Sequence, residues 1–149
     1  MRGSLTAFMI IGVLGGTALA AVPAQAAQSA AVCSFERPPS LKKVVRVTEN
    51  GVRKADRKRP HGWLSAKRTK VETTEEGNFW FKPYGKARSY PLAKKRVLCV
   101  VATKGGQIVM RRTTLAGFRK ALGNGGGSSV AIKTGAGGRV TLAYQLFEA

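Results

Sequence analysis

The sequence predicts a mostly β protein: a small antiparallel sheet, barrel or sandwich of six or seven strands with one short helix, with an α+β arrangement as the alternative. Three observations predict it. Short runs rich in Val, Thr and aromatic residues recur along the chain, Gly, Asn and Pro separate them, and only one segment has helical spacing.

The first predicted strands lie near residue 50. A Val-rich run covers 41–48, and Asn50-Gly51 follows it, which is the strongest short-range signal for a hairpin turn before Val52. The next stretch, 53–70, carries eight basic residues and one acid, so we predict that its first half is a loop.

A second hairpin is predicted around residue 76. Runs at 69–74 and 79–82 flank a Glu-Glu-Gly-Asn turn, which is typical of two antiparallel strands. Three residues that disfavour strands are expected to break the stretch that follows: Pro83, Gly85 and Pro91.

The remaining strands are predicted in the second half of the chain. The continuous apolar run 96–103 is typical of a central buried strand, and a Lys-Gly-Gly turn leads from it into 107–112. A run at 130–134 and a final segment at 139–147 complete the set. Apolar and polar residues alternate in the final segment, which predicts one buried face and one wetter face.

The single predicted helix begins after Thr114, whose side chain is suited to cap it. Leu115, Phe118 and Leu122 share one face, and Gly123 stands in the stop position. We therefore expect a short helix that packs this face on the sheet.

The first 26 residues have the pattern of a secretory signal peptide. Arg2 precedes an apolar run that ends in Pro-Ala-Gln-Ala, and we expect cleavage after Ala26. Residues 27–149 then form a single β-rich domain without a transmembrane segment, secreted or associated with the cell envelope. A membrane anchor is disfavoured because the run is short and interrupted by glycines.

The two cysteines, Cys33 and Cys99, are predicted to form one disulfide, since an exported protein meets an oxidising environment. The alternative is lipidation of Cys33 after a lipoprotein leader, which would leave Cys99 unpaired. Two Cys and one His do not complete a four-ligand zinc site, so we expect no metal and no cofactor.

The chain carries 26 Lys and Arg against 7 Asp and Glu, a formal net charge of +19, of which Arg2 alone lies in the predicted leader. Such a surplus favours an extracellular polyanion as the partner, whether nucleic acid, wall polymer or anionic lipid, or else an acidic protein. We predict a secreted cationic binding protein that is not an enzyme.

The predicted binding residues combine cations with an aromatic ring that is able to stack on a base or sugar. Alternation in a strand turns Trp80 and Lys82 to one side and Phe79 and Phe81 to the other. The set is Arg53, Lys54, Arg57, Lys58, Arg59, Lys67, Arg68, Lys70, Trp80 and Lys82.

Two other functions remain open. A nuclease-like toxin would use His61, the only histidine, with Glu72 and Arg68 as base and phosphate clamp. A protein–protein module such as an inhibitor would recognise one acidic partner instead. No Gly-x-Ser-x-Gly or phosphate-loop motif is present.

Overall fold

A computed structural model describes residues 33–123 and 127–147, so the predicted leader, 1–26, lies outside the described residues. The model is mostly β, as predicted, with one short helix. Its elements, in chain order, are β1 (Val44–Arg53), β2 (Trp63–Thr73), β3 (Phe79–Lys104), β4 (Gln107–Thr113), α1 (Leu115–Leu122), β5 (Ser129–Thr134) and β6 (Val140–Gln145).

Five strands close into a ring in the order β1, β2, β3, β6, β5 and back to β1. The pairs are antiparallel except for β3 with β6, which run parallel and complete the ring. β4 lies outside the ring, paired with the last part of β3. The sheet is therefore mixed, with a single parallel pair among mostly antiparallel neighbours.

The main core fills the inside of the ring. It includes Val45, Leu64, Leu98 and Val140, and α1 adds Phe118, which is fully buried. The helix packs against β1 and β3, close to the end of β1. Its predicted limits are confirmed, because the Thr114 side chain accepts a hydrogen bond from the Gly117 N–H at 3.1 Å and Gly123 ends the helix with a positive φ.

A second, smaller core lies on another face of the strands and includes Val44, Phe81 and Tyr144. The predicted disulfide is present there and joins Cys33 to Cys99. The Tyr144 hydroxyl donates a hydrogen bond of 2.7 Å to the Ser34 carbonyl, which also holds the N-terminal segment in place. Because the Cys33 sulfur is bonded to Cys99, it is not free for lipidation.

The predicted hairpin turn at Asn50-Gly51 is wrong. β1 continues through both residues to Arg53, and the turn region between β1 and β2 lies at 54–62, as predicted for the basic loop. Asn50 has a positive φ of 51°, and the pairing of β1 with β2 shifts register between Val47 and Val52. Asn50 and Gly51 therefore form an irregularity within β1. The positive φ that suits an Asn-Gly turn is kept, but the chain does not reverse direction.

The predicted break after residue 82 is also wrong. β3 runs without interruption from Phe79 to Lys104 and includes both Pro83 and Pro91. Proline is tolerated because this part of β3 pairs only with β2, and β6 joins its other edge from Leu92 onward. Its missing N–H is therefore not needed for a second ladder.

Candidate cationic cleft and hairpin arm

A cleft of about 510 Å³ lies where the start of β1 meets the β2–β3 hairpin. Among the described residues that line it, none is Asp or Glu and four are cations: Lys42, Lys43, Arg68 and Arg88. Like charges held together in this way repel one another, so an anion that enters the cleft relieves the repulsion. The cleft lies at the beginning of β1, whereas α1 packs near the other end of that strand.

An irregularity in the β2–β3 ladder shapes one wall of the cleft. Arg68 pairs with Tyr84 and Ala66 with Arg88, so three residues of β3 face Lys67 alone. Gly85, among those three, has a φ of +72°, which glycine adopts without strain. A bulge of this kind re-aims the side chains around it.

Two tyrosines hold cations of the cleft by their ring faces. The Arg68 guanidinium lies 5.1 Å from the centroid of the Tyr84 ring, and the Lys43 ammonium lies 5.8 Å from that of Tyr90. A cation is attracted to the negative face of an aromatic ring at these distances. The rings therefore hold the charged groups in position before any ligand arrives.

Residues 68–84 of the hairpin, which we define as the arm, form one wall of the cleft at their base and extend away from it. The hydroxyl of Thr69 anchors its base by donating a hydrogen bond of 2.7 Å to the Val44 carbonyl. One face of the arm carries Lys70 and Lys82, whose ammonium groups lie 3.5 and 3.3 Å from the carboxylate of Glu72. The ammonium of Lys82 also lies 5.9 Å from the ring centroid of Trp80.

The alternation predicted for this strand is observed. Phe81 is buried in the smaller core, whereas Trp80 is 44% exposed. Trp80 is therefore not a core residue, and its ring is accessible beside Lys82. Four of the predicted binding residues lie together on the arm: Arg68, Lys70, Trp80 and Lys82. Lys67, also predicted, lies in β2 just before the arm.

The predicted binding residues in and beside the loop at 54–62 form a group separate from those of the arm. The Arg59 guanidinium stacks on Trp63 at 3.7 Å, with Arg53 at 5.8 Å from the same ring. Trp63 is half-buried and lies outside both cores. Three exposed cations of the loop accompany this stack: Lys54, Arg57 and Lys58.

Asp56 organises the loop. Its carboxylate accepts hydrogen bonds from the backbone N–H groups of Lys58 and Arg59 at 2.9 and 2.7 Å, and from the Arg59 side chain. The other end of the Arg59 guanidinium donates to the Ser89 hydroxyl on β3. Arg59 therefore serves to fold the loop and is already engaged on several sides.

The hydrogen bond from the Arg59 side chain holds the pKa of Asp56 below its usual value. Because the folded pKa is lowered, the interaction is fully present above the unfolded pKa of about 3.9 and is lost as the pH falls through the folded value. We expect the indole N–H resonance of Trp63, which lies under Arg59, to shift in acid with this titration. In Asp56→Asn the shift should be absent, and an equal shift in both proteins would contradict the assignment.

Sequence reasoning missed most of the cleft. Within the part of the chain that the structure describes, Arg68 is the one predicted binding residue that lines it. The missed residues are Lys42, Lys43, Tyr84, Arg88 and Tyr90. The spacing of Arg88 and Tyr90 is that of one strand face, but the assumed break between Pro83 and Pro91 concealed that signal.

The structure does not bring together the residues of the nuclease alternative. His61 precedes β2, whereas Glu72 lies near its far end, nine residues after Trp63. At about 3.3 Å per residue this separation is roughly 30 Å. Within residues 33–123 and 127–147, no three His, Cys, Asp or Glu residues are grouped as metal ligands.

No helix in the described ranges is long and apolar enough to cross a membrane. Comparison of the chain with protein-family models, with curated proteins and with solved structures finds no match.

Proposed function

We propose that this chain is an exported cationic protein that binds an extracellular polyanion through the cleft and the cationic face of the arm, without catalysis. The observation that carries the proposal is the convergence of four cations on one cleft, with no acid among the lining residues that the structure describes. Repulsion within such a group disfavours the compact state, and a bound anion offsets that cost.

The charge of the whole chain supports the same function. After removal of the predicted leader the surplus is +19 less the charge of Arg2, or +18. This field attracts polyanions over a distance of about a Debye length, roughly 8 Å at physiological salt, and accelerates encounter. The cleft then supplies the local contacts.

The position of the cleft offers architectural support. In partly open five-stranded barrels that bind oligonucleotides or oligosaccharides, the ligand lies across the second and third strands. In this ring the second and third strands contribute Arg68 and Arg88 to the cleft. The analogy concerns architecture alone, and the cations carry the chemical argument.

The proposal predicts that the double substitution Arg68→Ala/Arg88→Ala weakens binding to RNA and lowers its salt dependence. For a single strand, each lost phosphate contact should reduce the slope of log affinity against log salt by about 0.7. Fluorescence anisotropy of a labelled oligonucleotide across a salt series measures both quantities.

The matched control is Arg111→Ala/Arg112→Ala, two exposed arginines of β4 that do not line the cleft. It removes the same net charge, so it should lower affinity less and leave the slope nearly unchanged. Equal effects of the two double variants would show that overall charge, and not the cleft, binds the polymer. A slope near zero for the parent protein would refute polyanion binding altogether.

A further inference from the structure

The arm carries an exposed apolar patch on the face opposite to its lysines. Val71 is 60% exposed and Phe79 is 61% exposed, and they are diagonal neighbours across the β2–β3 ladder. The ring of Phe79 meets that of buried Phe81 edge to face at 6.0 Å, so the patch continues into the smaller core. The patch therefore has a rigid base and an open surface.

A soluble polyanion does not account for this patch. Phosphate, sulfate and carboxylate groups are bound by cations and hydrogen-bond donors, to which exposed aliphatic and phenyl side chains contribute neither charge nor a donor. Grouped exposed apolar residues instead mark a surface that is covered by a protein or a membrane. Because the protein carries a strong positive charge, we expect the partner that covers the patch to have an acidic surface.

We propose that the arm docks along the surface of an anionic lipid bilayer, with Val71 and Phe79 in the interfacial region. This rests on the proposed function and names its polyanion as a lipid surface. Val71 also lines the cleft, so the apolar patch lies beside two of the cleft cations, Lys42 and Lys43. Lys42 and Lys43 can extend their charges to acidic headgroups on long methylene stems.

The backbone of the arm limits how deeply it enters. β1 pairs with β2 only as far as Arg68, and β3 has no described neighbour other than β2 before Leu92, so the edges of the arm are open. Open strand edges require water and are not tolerated in hydrocarbon. Glu75 and Glu76, in the turn at the tip, also favour water. The arm therefore lies flat on the bilayer and does not insert by its tip.

A second copy of the chain is a poorer cover for the patch. Two copies, each with a surplus of +18 in the mature form, repel one another, whereas an acidic bilayer attracts each copy. Charge complementarity therefore favours the bilayer over self-association.

The test compares Phe79→Ser, which changes the residue of the patch that does not line the cleft, with the parent protein on two kinds of vesicle. One is equimolar phosphatidylcholine and phosphatidylglycerol, and the other is phosphatidylcholine alone. We expect the parent to bind the acidic vesicles only, and the variant to bind them roughly fivefold more weakly because an aromatic contact is lost. Both proteins should bind RNA with affinities that agree within about twofold, because the substitution leaves the cations in place.

The matched control is Phe147→Ser, which makes the same change at a side chain with an exposure of 53% elsewhere on the surface. It should bind acidic vesicles as the parent does. Equal binding of the arm variant and the parent, or a parent that binds RNA but no vesicle, overturns the lipid proposal and leaves polyanion binding intact. A parent protein that binds neither RNA nor acidic vesicles refutes the proposed function itself. A dimer of the parent that the arm variant abolishes would assign the patch to a second copy and also overturn the lipid proposal.

Discussion

Replacing Phe118 with Ala is expected to lower the free energy of unfolding by about 3–5 kcal/mol. Phe118 is fully buried, and its side chain packs α1 against the main core, which also contains Leu64 and Leu98. Removing the phenyl group loses the free energy of its burial. It also leaves a cavity that the strands, held in a closed ring, cannot easily fill. Chemical denaturation followed by circular dichroism measures the loss as a shift of the midpoint at constant slope.

Two further variants make this prediction decisive. Phe118→Leu should cost roughly 1–2 kcal/mol, so it remains folded if the Ala variant does not. Phe147→Ala makes the same chemical change at a position that is 53% exposed, and its effect should stay within about 0.5 kcal/mol. A loss below about 1 kcal/mol for Phe118→Ala would contradict the tight packing of Phe118 in the main core.

Removing the disulfide with Cys33→Ala/Cys99→Ala should destabilise the protein by about 4 kcal/mol. The bridge joins residues separated by 66 positions, and a loop of that length loses much of its conformational freedom in the unfolded chain when it is closed. It also fastens the N-terminal segment, through Cys33, over the smaller core. Denaturation midpoints of the oxidised parent and the double variant measure the difference.

The reduced parent is the control for the lost sulfur atoms. It lacks the bridge but keeps both side chains, so any additional loss in the double variant reports the packing of Cys99, which is fully buried. Thiol titration of the unfolded, unreduced parent should find no free thiol. A free Cys99 would contradict the bridge and restore the lipidation alternative for Cys33.

The features that sequence reasoning predicted correctly depend on neighbours along the chain. The helix has its cap at Thr114, its apolar face and its Gly123 stop within ten residues, and all three are observed. The turn at 75–78 likewise closes on itself, with the Thr74 N–H donating to the Asn78 carbonyl at 2.7 Å. Local signals of this kind predict local structure because the interactions that stabilise it are local.

The two errors in the strands have one physical origin. Asn50-Gly51 favours a reversal, and Pro91 disfavours a strand, yet both lie inside strands. In each case pairing with β2 decides, since β1 pairs with β2 both before and after Asn50-Gly51, and β3 pairs with β2 from Phe79 to Pro91. The energy of many ladder hydrogen bonds and of a filled core exceeds the preference of a dipeptide.

The sequence by itself determined that this protein carries a large positive surplus, holds a short helix and has two cysteines suited to a bridge, because composition and short-range pattern contain that information. Only the tertiary structure decided that β3 closes the ring by pairing in parallel with β6, and that Lys43 meets Arg68 and Arg88 in one cleft. These residues belong to different strands, and their approach depends on which distant strands share hydrogen bonds and bury a common core. No local sequence pattern specifies which distant strands pair, because that pairing forms only when the whole chain folds.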